Sequence, residues 1–145
     1  MIKKLPDEIL KRASLRGKEY AWPLDDIPHV IRACEAADLV NVGGQLQFRI
    51  PDGGTCECHW VEVDTMKQVV SRLSWSELVK MTAEIAMRDF EALKESFDFL
   101  VEGRKGFQSQ FSKLEESGID PNRFACFVWY GKGKSAGTST ERANL

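Results

Sequence analysis

The chain has 145 residues and a mass of 16.4 kDa, which is the size of one domain. Its 43% hydrophobic content is enough to fill a core and excludes a disordered chain. No apolar run approaches the ~20 residues that span a bilayer, and the N-terminus lacks the apolar stretch of a secretory signal. The sequence therefore predicts a cytoplasmic protein without membrane contact. Residues 1–130 are predicted to form a single α+β domain, and residues 131–145 a polar, mobile tail.

The net charge of −2 is distributed unevenly along the chain. Residues 1–20 carry +3, residues 21–120 carry −8 and residues 121–145 carry +3. An acidic body repels phosphate at long range and attracts basic surfaces. The charge pattern therefore favours a protein partner with a basic surface over nucleic acid. The alternative is that this charge only keeps the chain soluble.

Two helices are predicted in the first quarter of the chain. Proline and acidic residues open the segment 5–16, basic residues close it and Gly17 follows, which is typical of a short helix. A second helix is predicted from Asp25 or Asp26 to about Asp38. Its apolar residues follow helical spacing: Ile27, Val30, Ile31 and Cys34.

A β-hairpin is the clearest local pattern. Polar and apolar residues alternate over 45–50, a Pro-Asp-Gly-Gly sequence supplies a turn, and an extended pattern resumes over 55–63. In the first strand, Leu46, Phe48 and Ile50 share one face, and Gln45, Gln47 and Arg49 share the other. In the second strand the apolar positions change sides after Trp60. This change predicts either a bulge near Trp60 or a strand end that is buried on both faces.

The second half of the chain predicts a long helix, a short helix and a strand. Residues 74–101 begin with a Ser74–Glu77 capping box and would run about 40 Å, so a break is expected in the C-terminal third. A helix over 107–114 and a strand over 124–130 follow. That strand is apolar on both faces, which predicts a central position. The expected architecture is a small, mostly antiparallel sheet that contains the hairpin and is packed on one side by helices.

Neither a metal site nor a catalytic set is predicted. Cys56, Cys58 and His59 are zinc-ligand types, but in an extended strand the two thiols point to one side and the imidazole to the other. Cys34 and Cys126 lie in apolar surroundings and are expected to be core thiols. With only two histidines in the chain, no nucleophile, base and orienting group can be named, and no cofactor is predicted.

The predicted function is binding of a protein partner. Trp22 stands in a segment predicted to be a link between charged residues, where an aromatic side chain is typical of an interface anchor. The predicted contact residues are Trp22, Asp25, Asp26, Glu57 and His59, with the acids steering a basic partner. The alternative is a small enzyme or ligand-binding domain with a pocket around Cys58, His59 and Trp60.

Three segments carry a resemblance to known proteins. They are the run from Tyr20 to Pro28, the run from Gly43 to Gly53, and Cys58-His59-Trp60. In these segments the chain resembles small bacterial cytoplasmic proteins of immunity type, which are encoded beside secreted toxins. The resemblance implies a non-catalytic protein that binds a toxin and blocks its active site, often through an acidic surface.

Overall fold

Five antiparallel strands form one sheet, and helices cover one of its faces. The computed structural model describes residues 2–51 and 53–134. The strands lie in the order β1-β2-β5-β3-β4, and all neighbouring pairs are antiparallel. The strands are β1 (Ser14–Arg16), β2 (Glu19–Pro23), β3 (Val40–Arg49), β4 (Thr55–Asp64) and β5 (Ala125–Lys132). The helices are α1 (Asp7–Leu10), α2 (Ile27–Ala36), α3 (Trp75–Ser96), α4 (Phe99–Gly106) and α5 (Gln108–Glu116). The predicted α+β class is confirmed.

The N-terminal segment departs from the prediction of a helix over 5–16. Helix α1 ends at Leu10, and residues 14–16 form β1, which pairs with β2. Gly17 has φ 61° and lies in the tight turn between these two strands. A left-handed glycine serves a helix end and a hairpin turn equally well, and here it serves the turn.

The central strands approach one another closely at two glycines. The predicted hairpin is confirmed, but β3 begins at Val40 and runs through Gly43 and Gly44 without interruption. A Cβ atom at Gly44 would overlap the backbone carbonyl of Val128 on β5. Only glycine fits at this position. Both glycines lie inside the ladder between β3 and β5, which is the longest in the sheet.

The C-terminal half follows the predicted order. Ser74 and Glu77 form the reciprocal capping box of α3. The long helix breaks after Ser96, as predicted, and the Asp98 side chain caps α4 by accepting from the next amides. β5 lies between β2 and β3, which confirms its central position. It extends to Lys132, so the first two residues of the predicted tail belong to the strand, and residues 135–145 of that tail lie outside the described residues.

The main core lies between the sheet and the helices. Phe48 and Phe111 meet edge to face with ring centroids 4.9 Å apart, and Phe90 and Phe127 do so at 5.2 Å. Such pairs add to the free energy of burial of each ring. The sheet residues of this core are Trp22, Leu46, Phe48, Cys56, Cys58, Val61, Val63, Phe127 and Trp129.

A buried asparagine joins three elements on the helix side. Asn41 on β3 is fully buried, and its amide nitrogen donates to the carbonyl of Ile31 on α2 at 3.2 Å. Its side-chain oxygen accepts from the indole of Trp129 on β5 at 2.8 Å, and its backbone N–H donates to Thr82 on α3 at 3.1 Å. Asn41 therefore fixes α2, α3 and β5 relative to β3.

The opposite face of the sheet holds a buried arginine. Arg49 on β3 is 6% exposed, and its guanidinium donates to the backbone carbonyls of Ser14 at 2.7 Å and Glu19 at 3.1 Å and to the Gln47 side chain at 3.0 Å. Ser14 and Glu19 belong to the β1–β2 hairpin, which is separated from β3 by β5. The sheet therefore curls until this hairpin comes within reach of Arg49.

Candidate functional site

A bulge interrupts the ladder between β3 and β4. Gln45 pairs with Glu62, but the next residue, Leu46, pairs with Cys58, so residues 59–61 have no partner on β3. The predicted bulge near Trp60 is confirmed. Because of the extra residues, Val61 returns to the same core face as Cys58. Bulges redirect side chains at sheet edges, and here the redirected side chain is that of Trp60.

Trp60 is held firmly and is still accessible. Its indole nitrogen donates to Glu102 on α4 at 2.8 Å, and Glu102 also accepts from Lys105 at 3.3 Å. The ring lies against Gly106, where an added Cβ would come within 2.7 Å of the Trp60 Cη2 atom. Even so, 45% of Trp60 is exposed. A large aromatic side chain that is both fixed and exposed loses little conformational entropy when a partner covers it.

Charged and polar side chains flank Trp60 along β4. Glu57 is half-buried and accepts from Gln47 at 3.5 Å, and His59 is exposed. Glu62 and Asp64 lie 3.5 Å and 3.7 Å from the Lys67 ammonium. The Lys67 side chain is 70% exposed, so these pairs contribute little to stability and a competing cation can displace them. We call Glu57, His59, Trp60, Glu62 and Asp64 the β4 edge surface.

β4 is the longer of the two edge strands. It pairs with β3 on one side, and no strand of the described residues pairs with its other side. The other edge strand, β1, has only three residues. Because the bulge and the charged residues disturb the regular edge, strand addition from a second chain is disfavoured. The side chains of β4 are therefore the means by which this edge can recognise another molecule.

The cysteines near Trp60 form no reactive or metal-binding group. Cys56 and Cys58 lie in the core, and burial raises the pKa of Cys58 to about 12, so its thiol stays protonated. His59 points to solvent, and Trp60 points to α4. In the part of the chain that the structure describes, no three His, Cys, Asp or Glu side chains are placed to hold a metal ion. The side chains of Cys58, His59 and Trp60, which were predicted to line an alternative pocket, therefore do not converge.

Trp22 is not available as an interface anchor. It is fully buried, its indole nitrogen donates to the carbonyl of Ile9 at 2.8 Å, and its ring stacks on Tyr20. The segment around it is strand β2 rather than a link, and Trp22 faces the core. The exposed aromatic anchor that the sequence analysis assigned to Trp22 is instead Trp60 on β4.

The two predicted aspartates lie apart from the β4 edge surface. Asp26 forms an ion pair with Arg12 at 2.8 Å, and its side chain is only 16% exposed. Asp25 is exposed and lines a shallow hollow of about 360 Å³ with Lys94 and Asp98. The structure therefore divides the predicted contact residues, with Glu57 and His59 on β4 and the aspartates before α2.

Ion pairs neutralise part of the acidic body. Among residues 2–51 and 53–134, eight carboxylates pair with a basic side chain. They are Asp26, Glu35, Glu62, Asp64, Asp89, Glu91, Glu102 and Glu115. The predicted steering by −8 charges is therefore weakened locally, and on β4 it depends on Glu57 and on how easily Lys67 leaves Glu62 and Asp64.

Glu102 is the site residue that the sequence reasoning missed. It lies in the predicted helix, where a glutamate is unremarkable, and its partner Trp60 is 42 residues away. The one usable signal was Gly106, since a glycine in a helix end permits close approach of an aromatic ring.

Comparison with known proteins identifies no relative. No family model matches the chain, and neither the curated proteins nor the solved structures include one with significant similarity to it. Among the residues that the structure describes, every helix is too short or too polar to cross a membrane.

Proposed function

We propose that this chain is a non-catalytic protein-binding domain that docks a basic partner on the β4 edge surface. The observation that supports this most is the state of Trp60, which is fixed by Glu102 and Gly106 and remains 45% exposed. Interface hot spots are enriched in tryptophan with acidic or polar surroundings that exclude water when the complex forms. A partner that wraps around the β4 edge would cover the exposed part of the indole on the helix side and place cations beside Glu57 and Glu62 on the opposite face.

The partner is expected to contribute lysine or arginine side chains. Glu62 and Asp64 lie beside the Lys67 ammonium, which supports a cationic group at this position. A guanidinium or ammonium from a partner would replace Lys67, whose exposed position makes its own pairs weak. Complementary charge of this kind raises the association rate more than it raises the final affinity.

The resemblance to immunity-type proteins gives the finer form of the proposal. In that form, the partner is a secreted toxin with a basic active-site cleft, and this chain covers the cleft in the cell that makes the toxin. The test is co-expression with the product of the neighbouring gene. Cells that carry this chain should survive production of that toxin, whereas cells without it should not.

Two matched double variants test the charge contribution. Glu57→Gln/Glu62→Gln removes two carboxylates from the β4 edge surface, and Glu84→Gln/Glu95→Gln removes two exposed carboxylates from α3. At low salt, the first pair should slow association with the purified toxin several-fold and the second pair should not. The difference should shrink at high salt because the charges are exposed. Equal association rates for the two pairs would contradict a role for β4.

Trp60→Ala tests the anchor. We expect at least a 100-fold loss of affinity, since a central tryptophan is a strong hot spot. The substitution also removes a hydrogen bond from the buried Glu102, so unfolding is measured in parallel. The double variant Trp60→Ala/Glu102→Leu removes the stranded carboxylate as well. If this double variant folds stably and binds as tightly as the parent, Trp60 is not the anchor.

A further inference from the structure

A second concave site has basic rather than acidic side chains among its lining residues. A cavity of about 480 Å³ opens between the β1–β2 hairpin, the N-terminal turn at Ile2–Lys4 and the end of β5. This volume lies in the range of about 300–1,000 Å³ that is typical of sites for small molecules. Its lining residues are Ile2, Lys3, Leu15, Gly17, Lys18, Tyr20, Trp129, Tyr130 and Gly131.

All of these lining residues come from the two basic segments of the chain. Residues 1–20 and 121–145 each carry +3, whereas the body between them carries −8. Folding brings the described parts of these segments together because β2 pairs directly with β5. Two lysine side chains, Lys3 and Lys18, line the cavity, and their positive charge attracts an anion that approaches it.

The two lysines of the cavity are free to meet an anion. Lys3 and Lys18 are exposed, and neither forms a hydrogen bond or ion pair with any residue in the ranges 2–51 and 53–134. Lys67, Lys94 and Lys105 pair with carboxylates, whereas Lys3 and Lys18, like Lys80 and Lys113, do not in the part of the chain that the structure describes. An ammonium without a carboxylate partner at a cavity is a ready counter-charge for a ligand.

The walls of the cavity suit a flat ring. The half-buried Tyr20 supplies aromatic surface, and Leu15, which is 54% exposed, supplies aliphatic surface, whereas Trp129 is 1% exposed and Tyr130 packs on the opposite face of the sheet. The polar atoms of Trp129 and Tyr130 are already used, since the indole donates to Asn41 and the Tyr130 hydroxyl bonds Glu19 and Gln45.

The Tyr20 hydroxyl differs from those of its aromatic neighbours. It has no hydrogen-bond partner within the described part of the chain. Together with the Lys3 and Lys18 ammonium groups, it therefore has a hydrogen bond to offer a ligand.

From this arrangement we infer that the cavity binds a small molecule that joins a planar aromatic ring to an anionic group. The ring packs against Tyr20 and Leu15, and the carboxylate, sulfonate or phosphate lies beside Lys3 and Lys18. Tyr20 and Leu15 provide the apolar contact, and the two lysines select for the negative charge. This site is separate from the β4 edge surface and does not depend on the proposed protein partner.

The direct test uses a matched pair of fluorescent probes on the full chain. Anilinonaphthalenesulfonate is an aromatic anion, and phenylnaphthylamine is its uncharged analogue. The anion should bind one saturable site at least 10-fold more tightly than the neutral probe. Lys3→Gln/Lys18→Gln should lower the affinity for the anion at least 5-fold and leave the neutral probe unaffected. Lys80→Gln/Lys113→Gln makes the same charge change on α3 and α5 and should have no effect.

The location of the probe is measured independently by amide chemical shifts. Binding should shift the amides of Gly17, Lys18 and Gly131, and leave those of Gly103 and Gly118 unchanged. Equal affinity for the two probes, an unchanged affinity in the Lys3/Lys18 variant, or shifts confined to other glycines would each overturn the inference. Near-ultraviolet circular dichroism of every variant confirms that the probe reports on the folded chain and not on a loosened core.

Discussion

Arg16 and Thr55 lie on opposite edge strands of the sheet, yet the Arg16 guanidinium donates to the Thr55 hydroxyl at 2.9 Å. The same guanidinium donates to the carbonyl of Ile50 at 2.9 Å. Arg49 reaches from β3 to the β1–β2 hairpin across the same face. Two arginines therefore hold the sheet in a curl that brings its edges together at one end. This curl explains why Gln47 is fully buried on the face that lacks helices.

Replacing Arg49 should loosen the N-terminal hairpin. Arg49→Met removes the guanidinium donors to the carbonyls of Ser14 and Glu19. We expect a loss of about 2–4 kcal/mol in the free energy of unfolding, because several bonds to a buried charged group are lost together. Hydrogen exchange should accelerate over residues 14–23 more than over β3. Arg72→Met, at an exposed position, is the control and should change neither quantity.

Replacing Asn41 should destabilise the core on the helix side. Asn41→Ala leaves the Trp129 indole N–H without its acceptor in a fully buried site and removes the side-chain donor to the Ile31 carbonyl. The expected loss is about 2–4 kcal/mol, measured by urea unfolding, with a change in the near-ultraviolet signal of Trp129. Asn122→Ala replaces an exposed asparagine and should cost less than ~0.5 kcal/mol. Equal effects of the two substitutions would show that the Asn41 network adds nothing to stability.

A methyl group at Gly44 should disrupt the centre of the sheet. Gly44→Ala places a Cβ on the carbonyl oxygen of Val128, and both backbones belong to central strands that cannot move apart independently. We expect a loss of at least ~3 kcal/mol, seen as a lower thermal midpoint or as loss of the folded state. Gly54→Ala meets no atom within 4 Å and should stay close to the parent. A Gly44→Ala variant with parental stability would contradict the close approach of β3 and β5.

Stability should fall at alkaline pH because of buried thiols. Burial raises the pKa of Cys34 from 9.0 to about 12 and that of Cys126 to about 11. Unfolded thiols lose their protons from about pH 9, and folded thiols keep theirs, so the unfolded state then binds fewer protons. The free energy of unfolding is therefore unaffected below about pH 9 and decreases as pH rises towards 12. Each thiol contributes a slope of at most ~1.4 kcal/mol per pH unit.

The comparison that isolates one thiol is Cys34→Ala. This variant is less stable at every pH, but its stability should fall less steeply between about pH 9 and pH 11 than that of the parent. Lysine and tyrosine titrations are common to both chains and cancel in the difference. Parallel slopes would mean that the Cys34 thiol titrates in the folded state as it does in the unfolded chain.

Local patterns predicted the elements that local contacts determine. The alternation over 45–50, the capping box at Ser74 and the apolar run of β5 each fixed an element correctly because each pattern has one physical solution. The pattern around Gly17 is compatible with two structures, a helix end or a hairpin turn. The deciding contacts are those of Arg16 and Arg49, whose partners lie 30 or more residues away and leave no local signal.

The candidate site was predicted only in part for a related reason. Glu57 and His59 were assigned correctly to a strand, but Trp22 was expected at the surface because its segment was interpreted as a link. Tyr20 and Trp22 are two residues apart in β2, so both side chains face the core. Exposure of an aromatic residue depends on which layer covers it, and Trp22 is covered by α1 and α2, whose packing over β2 leaves no local pattern in the sequence.

The position of β5 has a consequence for synthesis on the ribosome. β2 and β3 share no hydrogen bonds with each other, and each pairs with β5. During translation, the β1–β2 hairpin and the β3–β4 hairpin are complete before residues 125–132 emerge. Until then, the edges of β2 and β3 that will pair with β5 stay unpaired. A nascent chain stalled before that point would expose two unpaired, aggregation-prone strand edges at once. Chaperones that bind unpaired strands would bind at these edges.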